Sequence, residues 1–82
     1  MYLGKVVGNL VCSHQDELLE GRTFLLVKRL PNGPVAVAVD SVGAGPGETV
    51  YVCRGKEASF PFLPALVPTE TTIVAIVDPL RP

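Results

Sequence analysis

The sequence predicts an all-β fold: a small five-stranded β-barrel with a proline-rich irregular arm. Three observations carry that expectation. Short runs of β-branched and aliphatic residues recur, each bounded by glycine, proline or polar clusters. No stretch shows the apolar period of a helix of about ten residues or more. Finally, residues 60–68 hold Pro61, Pro64 and Pro68, each of which removes a backbone donor.

The first strand is expected over residues 2–12. Its even positions Tyr2, Gly4, Val6, Gly8, Leu10 and Cys12 carry no charge, whereas the odd ones include Lys5 and Asn9. That is period two, with one face inward. Gly4 and Gly8 share the inner face, as sharp curvature or a close backbone approach requires. A polar connection, SHQDELLEGR, follows, in which Ser13 with Asp16 could cap one helical turn. The second strand covers residues 23–30. Its run Phe24, Leu25, Leu26, Val27 does not alternate, so both faces should be buried, one in the barrel and one against a neighbouring subunit.

Residues 30–34 form a turn, with Pro31 presetting φ and Gly33 free to take φ > 0. The third strand is expected over 35–42 and the fourth over 49–54. Residues 56–70, KEASFPFLPALVPTE, should be neither a helix nor a central strand. Phe60, Phe62, Leu63, Leu66 and Val67 make this arm too apolar for a free linker, so it should pack across the barrel or across a partner. The last strand, 71–78, is stopped by Pro79.

Composition bounds the rest. The 82 residues make a single domain, 1–82, with an expected folded surface of roughly 4,700 Å². Yet 48% of the residues are hydrophobic, only 18% are charged, and mean hydropathy is +0.39. One small barrel interior cannot hide that much apolar surface, which predicts an obligate oligomer. No apolar run approaches the roughly 18 residues of a membrane span, and the start lacks the basic region and cleavage site of a signal peptide. Cys12 and Cys53 could make at most one bridge, so a reduced, cytoplasmic setting is expected. A net charge of −1 gives no pull toward nucleic acid or anionic membranes.

The glycine cluster Gly43-Ala44-Gly45-Pro46-Gly47-Glu48 invites a phosphate-cradle reading and fails it. Pro46 offers no N–H, Glu48 places a carboxylate where the phosphate charge would sit, and TVYVCRG downstream reads as a strand instead of a helix. A tight β-turn with glycines at positive φ is the reading that remains.

The same stretch carries a family likeness. VAVDSVGAGPGETVYVCRG resembles the signature segment of the EutN/CcmL family, the pentameric vertex proteins of bacterial microcompartment shells. Asp40, Val42, Gly43, Ala44, Gly45, Gly47, Glu48, Val50, Val52 and Gly55 match its pattern. The opening MYLGKVVGNLVCS, the Leu19-Glu20-Gly21 before Phe24, and the closing 73–78 are similar to further family segments. The likeness thus spans nearly the whole chain in order. It departs at Ala75, where the family has glycine, and at Lys56-Glu57-Ala58-Ser59.

The resemblance implies an OB-like barrel, a homo-pentamer that caps shell vertices among hexameric shell proteins, no cofactor and no enzymatic activity. It leaves two readings for the turn Gly43, Ala44, Gly45, Gly47, Glu48: beside a subunit boundary or the five-fold axis, or a hairpin on the outer surface. Phe24, Leu25, Leu26 and Val27 are the candidate interface strand.

Other chemistry finds little support. His14 beside Cys12, with distant Cys53, lacks a fourth ligand or a metal-type spacing, so no metal site is expected. The cysteines read as small buried hydrophobes. Asp16, Glu17 and Glu20 form a solvated acidic loop, or rim ion pairs with Lys28-Arg29 or Arg54-Lys56 of a neighbour. The rival from another class is an OB-fold binder of single-stranded nucleic acid. It is disfavoured by the absence of tryptophan, the few aromatics and the slightly negative charge. A small enzyme subunit is weaker still, for want of a paired acid, base or nucleophile.

Overall fold

The computed structural model describes residues 1–11 and 15–78. Cys12, Ser13, His14 and Pro79, which entered the sequence reading, lie outside the described residues. Five strands form: β1 (Tyr2–Leu10), β2 (Phe24–Arg29), β3 (Val35–Asp40), β4 (Thr49–Arg54) and β5 (Thr71–Ile76). They close into a barrel in the order β1-β2-β3-β5-β4. The pairings are antiparallel except β3 with β5, which is parallel. This is the OB-like five-stranded barrel that the sequence led us to expect.

Alternation fills the interior. Val6, Leu25, Val27, Ala38, Val50, Val52 and Ile73 form one buried cluster, with Tyr2 and Ala44 packed against it. Gly4 is buried among them because nothing larger fits: a Cβ there would collide with the Val27 side chain and sit 3.1 Å from the Lys28 carbonyl.

Period two does not survive the whole of β1. The register shifts between Val6 and Gly8, leaving Val7 as an inserted residue. Beyond that bulge the even positions turn outward. Gly8 pairs with half-buried Leu26, Leu10 pairs with Phe24, and Leu10 is exposed. Gly8 is therefore not on the inner face predicted for it; one extra residue flips every later side chain. Gly33 also differs from expectation. Its φ is not positive, and what it supplies is room, since a Cβ would lie 2.7 Å from Arg29 Cβ.

The arm needs a larger correction. Lys56–Phe62 forms a 3₁₀ helix with Pro61 inside it, where the sequence argued against any helix. A short 3₁₀ segment tolerates proline, because only one i→i−3 bond is lost. A second small core lies beneath this helix. Val39, Cys53 and Thr72 are buried but stand outside the interior cluster, and register places Thr72 beside both of the others. The arm packs on β4 and β5, with the Thr72 hydroxyl donating to the Ala58 carbonyl, and its own Ala58 and Val67 are buried. A 3₁₀ turn, Glu17–Leu19, sits in the β1–β2 connection, with Asp16 accepting from the Leu18 amide at 2.9 Å.

Candidate functional site

The signature turn joins β3 to β4 across one end of the barrel. Gly43 and Gly47 adopt φ of +80° and +85°, a region costly for residues with a Cβ. The amides that a phosphate would need are already taken. The Asp40 carboxylate accepts from the amides of Val42 (3.1 Å), Gly43 (2.9 Å) and Ala44 (3.0 Å). Glu48 Oε1 accepts from the Gly45 amide at 2.6 Å. Two internal carboxylates thus occupy the donor nest where an external anion would bind, and their charge repels one. Glu48 acts as the sequence reading anticipated. Asp40, noticed there only as a signature residue, does most of the work.

The turn is also fastened sideways. The Gly47 amide donates to the Val6 carbonyl at 2.8 Å, and the Val6 amide donates to the Glu48 carbonyl at 3.0 Å. Ala44 packs down onto the interior cluster. The turn is therefore a rigid lid on the barrel end, held by β1.

The run proposed as an interface strand divides by parity. Leu25 and Val27 are buried in the interior, so they can touch no neighbour. Phe24 and Leu26 are half-buried and face outward. Around them the outer face is apolar: Leu26 pairs with exposed Val37, Phe24 with exposed Leu10, and Val35 is exposed further along β3. A second outward apolar row crosses the other side of β1, where Leu3 pairs with Tyr51 of β4, and Tyr51 in turn pairs with half-buried Ala75 of β5. The facing lysines Lys5 and Lys28 separate the two rows. Among the described residues, fifteen large hydrophobic side chains are exposed against eleven hydrophobic ones buried. The sequence reading missed the second row. Its only signal was the alternation of Tyr51 between Val50 and Val52.

No group of three or more metal-ligating side chains occurs among the described residues. Cys53 is a buried free thiol. Two aromatic faces are covered by arginines, Tyr2 by Arg29 at 4.7 Å and Phe62 by Arg22 at 4.9 Å. No helix among the described residues is long and apolar enough to cross a membrane. A closed barrel with a self-filled turn and apolar outer faces is the form of a structural, self-associating protein.

Comparison with known proteins places it further. Residues 1–78 match the family model described as ethanolamine utilisation protein EutN/carboxysome, and the chain belongs to that EutN/CcmL family. It is 48% identical over 63 residues, 71% of each chain, to the bacterial microcompartment shell vertex protein GrpN of Rhodospirillum rubrum. It is 38% identical over 89 aligned positions, 98% of each chain, to the shell vertex protein PduN of Salmonella typhimurium. The structure of the GrpN pentameric microcompartment shell protein superposes with a TM-score of 0.87 at 39% identity, covering 100% of this chain and 99% of that one. These relatives are named as structural shell proteins, not as enzymes, and no nucleic-acid binder stands among them.

Proposed function

We propose that this chain is a structural protein of a bacterial microcompartment shell, that five identical copies close into a ring, and that the ring caps the vertices of the polyhedral shell. Hexameric shell proteins are its neighbours there. A flat hexagonal layer cannot close, and a five-fold unit at each corner supplies the missing curvature. The observation that carries the reading is the family match along residues 1–78.

The outer surface fits a ring. A cyclic assembly uses two different patches on each subunit, one meeting the other on the next copy. The row around Phe24, Leu26, Val35 and Val37 and the row of Leu3, Tyr51 and Ala75 are two such patches. We pair them across the subunit boundary, with the Gly43–Glu48 turn near that boundary or near the five-fold axis. A contact of ordinary size covers on the order of 800 Å² per partner. Two of them would remove about a third of the folded surface expected for this chain length, in line with its high apolar content. Native mass spectrometry of the purified protein tests the reading directly: it should count five subunits, and a stable folded monomer at micromolar concentration would refute it.

A further inference from the structure

At the barrel end where β1, β3 and β5 begin, a cleft of about 150 Å³ is lined by Tyr2, Arg29, Pro34, Ala36, Arg54 and Thr71. We propose that this cleft binds a phosphate group, as free phosphate or as the head of a small phosphate ester. Its chemistry is the reverse of the signature turn, where Asp40 and Glu48 already fill the donors. Here two arginines line one opening and no acidic residue does. Guanidinium is charged at every physiological pH, and its planar fork matches the oxygens of phosphate. Two of them balance a dianion better than a monoanion.

Arg29 is already held in place. Its guanidinium carbon lies 4.7 Å from the centre of the Tyr2 ring, and Tyr2 in turn packs on the barrel core. Stacking of this kind removes rotamer freedom that a ligand would otherwise have to freeze. Pro34 and Ala36 form an apolar wall, while Tyr2 and Thr71 contribute residues with hydroxyl groups. Glu57 and Glu70, the nearest acidic residues in sequence, are exposed and do not line the cleft.

Titration of the assembled protein with inorganic phosphate at low salt, followed by calorimetry and phosphorus NMR, should show saturable binding at one site per chain that weakens as chloride is added. Arg54→Gln and Arg29→Gln should each weaken it roughly tenfold to a hundredfold, with Lys56→Gln, outside the cleft, unchanged. A parallel titration with glycerol phosphate separates the sources: equal binding assigns the cleft to esters as well, and its loss assigns the cleft to the free ion. The proposal is overturned if phosphate shows no saturable binding up to about 10 mM, if both variants bind as the unmodified protein does, or if acetate binds equally well. Should Arg29→Gln fail to fold, Arg54→Gln decides alone, because Arg54 is exposed. Native mass spectrometry of the same samples counts subunits, so failure of the ring and failure of the cleft are read separately.

Discussion

The buried hydroxyl of Thr72 donates to the carbonyl of Ala58, the carbonyl that Pro61 leaves without its helical donor. In a 3₁₀ helix the amide of residue 61 would bond to the carbonyl of residue 58. Proline has no such amide, and β5 supplies the replacement from the side. This one bond lets the arm be helical and fixes it to the barrel. Thr72→Val keeps the shape and orphans a buried carbonyl, so it should destabilise the protein by about 1–3 kcal/mol. Denaturant unfolding at fixed protomer concentration measures it, since assembly adds to apparent stability. Pro61→Ala in the Thr72→Val background should recover part of the loss, and a double-mutant cycle that finds the two changes additive would contradict the pairing.

Asp40 holds three amides of the signature turn. Asp40→Ala should cost roughly 1–2 kcal/mol, toward the low end for charged hydrogen bonds because the site is open to water. Hydrogen exchange is the sharper readout: the amides of Val42, Gly43 and Ala44 should exchange faster while those of β4 stay protected.

The glycines of the turn serve different purposes. Gly47→Ala forces a Cβ onto a φ of +85° and should cost about 1–2 kcal/mol within each subunit. Gly45 has no such φ, and a Cβ there would meet Glu48 Oε1 at 3.4 Å, so Gly45→Ala should stay within about 0.5 kcal/mol. Gly45→Val is then a probe of the neighbour. With the turn at a subunit boundary, light scattering should show a weakened ring around intact barrels. An unchanged ring would instead place the turn on the outer surface.

Charge on the outward rows should separate the subunits without unfolding them. Leu26→Glu and Tyr51→Glu each place a carboxylate in a patch that the ring would bury, and each should weaken the contact by about 2 kcal/mol or more. Asn32→Glu, exposed in the β2–β3 turn and outside both rows, is the control. Native mass spectra at a series of dilutions give the result, with far-ultraviolet circular dichroism to check that the barrel persists.

Much of the fold was legible because β-barrels announce themselves locally. The spacing of β-branched residues places the fourth strand at 49–54, and β4 is Thr49–Arg54. The expected second strand, 23–30, exceeds Phe24–Arg29 by one residue at each end. The glycine turn was legible too, since Pro46 and Glu48 argue against an anion at the level of single residues. The bulge at Val7 was not, because a register shift is a relation between two strands and leaves no mark in one. Nor was the 3₁₀ helix through Pro61, whose missing bond to the Ala58 carbonyl is repaired by Thr72, fourteen residues from Ala58 along the chain.

By its sequence alone this chain settled its all-β class, its family and its excess of apolar side chains, because these depend on residue type and local spacing. Tertiary structure decided where that excess points. Closure of the barrel sends Leu25 and Val27 inward, turns Phe24, Leu26, Leu3 and Tyr51 outward, and brings Arg29 and Arg54 to one opening. Side-chain direction in a sheet is set by register, and register is established only when strands far apart in sequence meet.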